Sequence, residues 1–414
     1  MFILFDRERQ RIPIKIWLKS REELEADCLQ QAINLANLPF AFQHVALMPD
    51  THSGFGMPIG GVLGARGVII PNAVGVDIGC GVAFIRTDLP SGLLRKPTAS
   101  GTELGRGIVG ELMRSIPTGF RHQQAPQASV VLDQFKERIT GDNILYPRAL
   151  VKEIANGYHQ LGTLGGGNHF IELQEDDEGK LGIMVHSGSR NFGYKICRYF
   201  NRLAKEKNQA WEFSVPPEYD LAYLSDDSKE GQAYIQWMKL ALDFARENRQ
   251  LMLERVIDIV AEAYGRYARI PDFTTEMEVN AHHNYAADEE HFGEQVWVHR
   301  KGAIRAGQGE LGIIPGAMGS FSYIVEGLGN PESFLSCSHG AGRKMGRKEA
   351  LRHFSVQEVM EDLKARAVVL GKQKKNDVAE EFIKAYKDIE EVMAEQLDLI
   401  KPLLRLKTVC VVKG

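Results

Sequence analysis

The segment Ser-Cys-Ser-His-Gly-Ala-Gly-Arg at 336–343 sets His339 among small residues, with Arg343 four positions on. Gly340 and Gly342 let a ligand approach the backbone closely, and Arg343 is a fixed planar cation suited to phosphate. A histidine in that setting can be a general base, a metal ligand or a nucleophile. A second group lies in Gly-Val-Asp-Ile-Gly-Cys-Gly at 75–81, where Asp77 and Cys80 stand three residues apart on a turn supplied with glycine. Three more histidines follow glycine-rich or polar turns: His169 after Gly-Gly-Gly-Asn, His186 before Ser-Gly-Ser-Arg, and His283 in Ala-His-His-Asn-Tyr. Together they supply the mixed oxygen, nitrogen and sulfur donors of a transition-metal site, which calcium or magnesium would not choose. Manganese, zinc, iron and cobalt all remain open on donor type. The ligands are too far apart in the chain for a finger, so the fold must assemble them.

Gly-x-x-x-x-Gly-Lys-Ser/Thr is absent, which removes the P-loop nucleotidases, and no Gly-x-Gly-x-x-Gly stands in a clear βαβ unit. The glycine turns at 165–167, 316–319 and 340–342 can still cup anions with backbone amides. Of the nearby cations, Arg190 and Arg343 each adjoin a glycine turn and a candidate histidine.

Elements must carry these residues to one place. Apolar positions between 21 and 38 fall at helical spacing, and residues 191–208 and 228–268 also read as helices. In the last, Tyr234, Trp237, Met238, Ala241, Leu242 and Ala245 form one core-facing stripe. Short β-prone runs occupy 44–48, 68–70, 82–87 and 181–185, a strand-rich region covers 295–325, and 404–412 reads as a final strand. The region 101–160 is mixed helix and loop, and the acidic run Glu-Asp-Asp-Glu at 175–178 reads as a solvated turn. Ser355 with Glu358 forms a capping box, and Asp377 with Glu380 resembles another. Glycine-rich, β-prone motifs in both halves, separated by helices, point to an α+β chain. We expect a single large domain over 1–414, with a mixed sheet core and surrounding helices.

Composition bounds the function. The 414 residues are 44% hydrophobic and 25% charged, and the formal net charge of -4 argues against coating nucleic acid through an overall basic field. A local basic groove would still suffice for RNA or DNA. Five cysteines, odd in number and without a CxxC pair, suit a reducing compartment. The opening residues are too short an apolar run for a signal peptide, and no run reaches membrane-spanning length, so the expected location is the cytoplasm.

The motifs taken together resemble the RtcB-type RNA ligases. The matching stretches are Met48-Pro-Asp-Thr-His52, Gly75-Val-Asp-Ile-Gly-Cys-Gly81, Gly165-Gly-Gly-Asn-His169, His186-Ser-Gly-Ser-Arg190, His282-His-Asn284, His299-Arg-Lys-Gly-Ala303, Pro315-Gly-Ala-Met-Gly319 and Ser338-His-Gly-Ala-Gly-Arg343. The resemblance implies a ligase dependent on GTP and two Mn²⁺ ions, joining RNA ends with a 2′,3′-cyclic phosphate or 3′-phosphate to 5′-hydroxyl ends. It implies that Asp77, Cys80, His169, His186 and His283 hold the metals with Cys80 bridging, and that His339 takes up GMP. It implies nucleotide contacts from Asn168, Glu172, Gly316, Ala317, Met318, Gly319, Gly340, Ala341, Gly342, Arg343 and Lys413. Arg190, Arg300 and Lys301 would meet RNA phosphates. The RNA would be tRNA halves or cleaved RNA, and an archease-like activator is compatible with the family. Phe55, in His52-Ser-Gly-Phe-Gly56, occupies a loop position where members of the family differ. The competing enzyme class is a GTP-independent dinuclear metal phosphodiesterase acting on 2′,3′-cyclic phosphate ends.

Overall fold

The computed structural model describes residues 1–141, 143–209, 215–270 and 272–414. Two sheets organise the chain. The first has the order Phe2–Leu4, Ile14–Ile16, Ala41–His52, Ile59–Ala65, Glu294–Lys301 and Asn284–His291. The second runs Thr275–His282, Gly81–Pro90, Lys180–Ser187, Phe170–Asp176, Ile400–Lys413, Phe321–Gly327 and Leu311–Ile314, with Val369–Gly371 parallel to Ile400–Lys413. Most pairings are antiparallel and helices cover the sheets, so the class is α+β.

Register decides where the chemistry collects. Gly81 pairs with both Ser187 and His282, while Phe170 pairs with His186 and Lys413. The residues at or just beyond those positions are Cys80, His169, His186 and His283. Antiparallel neighbours bring strand starts and strand ends to the same edge, and that edge is the site. His283 is the single residue between Thr275–His282 of one sheet and Asn284–His291 of the other. His339 follows Ser336–Ser338, which pairs with Ala303–Arg305 just beyond Glu294–Lys301. Both histidines therefore sit where the two sheets meet.

The helix Lys229–Ala268 buries the expected stripe, with Tyr234, Trp237, Met238, Ala241 and Ala245 in the core and Leu242 partly so. Helix Arg190–Gln209 and the strand Lys180–Ser187 lie where periodicity puts them, whereas the first helix, Ala26–Ala36, begins later than the expected 21, after a separate 3₁₀ turn at Arg21–Glu23. The final strand starts earlier than expected, at Ile400. Ser355 and Glu358 do form a capping box.

Two expectations are corrected. Glu175 and Asp176 belong to the strand Phe170–Asp176 rather than to a solvated turn. Asp176 is buried against Arg86 (2.6 Å), and Glu175 accepts from Arg95 and Ser91. A run of like charge left the strand period unreadable. Asp377 makes no side-chain cap: it precedes a short 3₁₀ turn, Val378–Glu381, whose first bond uses the Asp377 carbonyl instead.

Candidate active site

A cleft of about 970 Å³ opens along the meeting line of the sheets, with Asp77, Cys80, His186, His283 and His339 in its lining. Cys80 lies just before a strand, on a turn where Gly79 takes a φ of +74° and packs against helix Lys229–Ala268. Its Sγ is 3.4 Å from Nε2 of His169 and 3.4 Å from Nε2 of His186. Asp77 Oδ2 is 3.1 Å from His169 Nε2. Two groups of potential ligands result, Asp77–Cys80–His169 and Cys80–His186–His283, each with donor atoms within 4.8 Å of one another. Cys80 belongs to both.

The second nitrogens fix the rings. His169 Nδ1 lies 2.9 Å from the Leu164 carbonyl, which can only accept, so Nε2 carries the lone pair that faces Cys80 and Asp77. His283 Nδ1 is buried without a hydrogen-bond partner among the described residues. An orphaned buried imidazole nitrogen is costly unless something fills its place. Burial, with neighbouring positive groups, holds His186 and His283 well below the usual histidine range, so both are neutral and ready to donate. Burial and Asp77 push the Cys80 thiol well above its ordinary value. A cation is what would make it a thiolate. This donor set fits a transition metal.

His339 is arranged differently. Its Nδ1 donates to Asp50 Oδ2 at 2.6 Å, and its backbone N–H donates to the same oxygen at 3.0 Å. With Nδ1 committed to Asp50, Nε2 is the nitrogen left to react, and the ring stands 4.7 Å from that of His283, centroid to centroid. Gly342, at φ +71°, lies so close to the Asp50 backbone that a Cβ would meet its carbonyl oxygen at 2.3 Å. That close approach is why glycine is needed there. Asp50 was invisible to spacing arguments. The one signal available was its place in Met48-Pro-Asp-Thr-His52.

A third group lies at the Lys413 end of the same edge. Glu381 is buried and accepts from Lys413 Nζ (2.9 Å), Tyr386 Oη (2.8 Å) and Arg343 Nη1 (3.3 Å). Burial alone would raise its carboxyl, but Lys413, Arg347 and Arg343 reverse this and bring it down to about 2. Glu172, also in the lining, accepts from Gln174 and Thr408. Burial pushes it up to about 7 against those bonds and the Lys413 charge. Asn168, Gly316, Ala317, Met318, Gly340, Ala341 and Gly342 line the same cleft, and Gly319 follows that loop at φ +84°.

The expected cations divide. Arg300 is corrected from a phosphate contact to a structural residue. It is fully buried, with its guanidinium on both Glu289 oxygens, Ser336 Oγ and the Phe334 carbonyl, so no phosphate can reach it. Lys301 lines the cleft but donates to the Phe55 and Asn72 carbonyls, and burial lowers it to about 8. Arg343 lines the cleft too, with its N–H groups on Met345, Glu380, Glu381 and Tyr386. Arg190, at φ +57°, packs over Gly165 and behind His169, with Nη1 3.3 Å from Nδ1. Arg347 hydrogen-bonds Asn168 Oδ1 at 3.4 Å and keeps an exposed guanidinium at the cleft.

Helix Lys229–Ala268 reaches the back of the site through Asn248 and Arg249. Arg249, fully buried, donates to the carbonyls of Gly79 (2.8 Å) and Ser187 (3.0 Å), and Asn248 bonds Thr163 and Gly188. Asn284 donates to the Asp77 carbonyl and accepts from Gly302 N. Asn248 and Arg249 were not singled out from sequence, because a polar residue inside a helix has no visible partner until the fold is known, and Asn284 figured only as the end of the stretch His282-His-Asn284.

An α+β chain with a buried Asp/Cys/His ligand cluster on the floor of an open cleft, beside a carboxylate-held histidine, has the make-up of a metal-dependent enzyme. A family model described as tRNA-splicing ligase RtcB matches residues 31–414. The chain is 42% identical over 411 residues to the RNA-splicing ligase RtcB of Escherichia coli, covering 98% of each. It is 31% identical over 475 residues to the tRNA-splicing ligase RtcB of Thermococcus kodakarensis, covering 99% of this chain and 96% of that one. The chain belongs to the RtcB family. Among the described residues no helix is long and apolar enough to cross a membrane.

Proposed function

We propose that this chain is a GTP- and Mn²⁺-dependent RNA ligase joining 2′,3′-cyclic phosphate or 3′-phosphate ends to 5′-hydroxyl ends, and that its 414 residues work as one catalytic domain. The observation that carries the reading is the pairing of His339, held through Nδ1 by Asp50, with a ligand cluster in which Cys80 is shared. Family membership and relatives named as RNA-splicing ligases support the same activity.

Asp77, Cys80 and His169 would hold one ion, and Cys80, His186 and His283 the other. When bound, the ions supply Lewis-acid charge at phosphate oxygens. Asp50 keeps the His339 proton on Nδ1 and offsets the positive charge that builds on the ring as Nε2 attacks. Nε2 bonds to the α-phosphorus of GTP while the bond to pyrophosphate breaks. GMP then passes to the RNA 3′-phosphate, and the 5′-hydroxyl oxygen displaces it to form the new phosphodiester. A cyclic end is first opened by water. Asn168 and Glu172 would contact the nucleotide, Lys413 would lie near the guanine, and the 316–319 and 340–342 turns would offer backbone amides to phosphate. Cytoplasmic RNA, as tRNA halves or cleaved strands, is the substrate in this reading, and an archease-like activator is compatible with it.

The test is a joining assay with defined RNA ends, with and without GTP, in Mn²⁺. Joined product only with GTP supports the reading. Hydrolysis of the cyclic end, without GTP and without joining, would put a dinuclear phosphodiesterase in its place.

A further inference from the structure

Phe55 is 80% exposed, yet its loop is held firmly on several sides. Ser53 donates through N and Oγ to Glu25, and Gly54 exchanges two hydrogen bonds with the Gln31 amide (2.6 and 3.0 Å). The Phe55 carbonyl accepts from Lys301 Nζ at 2.6 Å and from Met57 N at 2.8 Å. Gly56, at φ +69°, packs against Asn72 and the Asp220 carbonyl. Single exposed apolar side chains are ordinary on protein surfaces. This one differs because the backbone beneath it is fixed and because it lines the candidate active cleft.

The neighbourhood says what would meet the ring. The loop joins strand Ala41–His52, which carries Asp50, to strand Ile59–Ala65. Gly302, next to Lys301, lies against both Ile59 and His339. Also lining the cleft are exposed Lys344, Lys348 and Arg352, which carry no ion pair among the described residues. An aromatic side chain carried on a fixed backbone at a cleft that also offers unpaired cations matches the chemistry of a single-stranded nucleic acid, with a base stacked and a backbone neutralised.

We propose that Phe55 is a stacking platform for the nucleobase at the RNA end that enters the cleft, making it a residue that sets RNA-end affinity. The inference rests on the RNA-ligase reading. It requires a π face, not only an apolar side chain, and no covalent step is involved.

The experiment measures binding by fluorescence anisotropy for wild type, Phe55→Ala, Phe55→Leu and Phe55→Trp. The probes are two short single-stranded RNAs, one ending in 3′-phosphate and one beginning with 5′-hydroxyl, each also made with an abasic terminal nucleotide. Phe55→Ala and Phe55→Leu should weaken binding of one of the two ends by about 5- to 150-fold, the range for losing one stacked base. Phe55→Trp should retain it. The abasic version of that end should bind wild type as weakly as the variants and be insensitive to substitution. In joining assays the same variants should raise KM for that RNA and leave kcat at saturating RNA. Thermal melting should hardly change, since the side chain is exposed. Unchanged affinity for both ends in Phe55→Ala would overturn the inference, as would full rescue by leucine. If wild type joins RNA but the variants bind normally, only this inference falls. If wild type neither binds RNA nor joins it, the ligase reading falls with it.

Discussion

Asp50 and His339 act as a unit in which one buried carboxylate oxygen takes both the backbone and the ring proton of the histidine. Asp50→Asn keeps the shape and removes the charge that steadies the ring as it becomes cationic. The expected result is a loss on the order of 10²–10⁴ in the rate of GMP transfer, with little change in KM for GTP, in single-turnover assays. A loss confined to KM would contradict the role. Cys80 is the other residue on which much depends, because both ligand groups include it. Cys80→Ala should abolish binding of both ions, whereas His169→Gln should weaken one and spare the other, in equilibrium dialysis against Mn²⁺. Loss of a single ion from Cys80→Ala would sink the shared-ligand geometry. His339, Cys80 and the outer histidines could be picked out from residue type and turn chemistry. Asp50 could not, since its partner lies 289 positions away.

At the level of elements, the site is held by strand ends and by one helix. Arg249 ties the Gly79 and Ser187 carbonyls to helix Lys229–Ala268, so the turns carrying Cys80 and His186 are set relative to each other from behind. Arg249→Met takes a donor from both carbonyls, leaving Gly79 with only the His282 ring, at a cost of about 1–3 kcal/mol. A lower melting temperature together with weakened Mn²⁺ binding is expected. Normal metal affinity in a destabilised variant would limit Arg249 to a structural part. Glu381 belongs here too, linking the final strand's Lys413 to the 343–347 loop. Its carboxyl is depressed to about 2 in the fold, against an ordinary value near 4.5, so its stabilisation is complete above that value. That stabilisation is lost as pH falls from about 4.5 towards 2. Denaturant titrations over that window should show a steeper loss of stability for wild type than for Glu381→Gln, which has already lost it. Helices with clean periodicity, such as Lys229–Ala268, were legible in the sequence. The strand containing Glu175 and Asp176 was not, because a buried carboxylate on Arg86 and a half-exposed one on Arg95 disguise a strand as a charged turn.

For the whole molecule, the significant fact is that neither sheet alone forms the cleft. Cys80, His169 and His186 sit at the edge of one sheet, Asp50 ends a strand of the other, and His283 and His339 lie in the connections between them. The α+β class could be argued from alternating glycine-rich and helical stretches. The meeting of the sheets could not, because it depends on antiparallel register between strands hundreds of residues apart, such as Lys413 with Phe170. Arg300 shows the same limit: it follows a histidine in a glycine-flanked motif, and only the fold reveals Glu289 waiting for it. The central claim is that this junction loads guanylate onto one imidazole. Intact-mass analysis of the protein after incubation with GTP and Mn²⁺ tests it most directly. The account predicts one acid-labile GMP adduct per chain in wild type and none in His339→Ala. An adduct that persists in His339→Ala, or none in metal-loaded wild type, would contradict it.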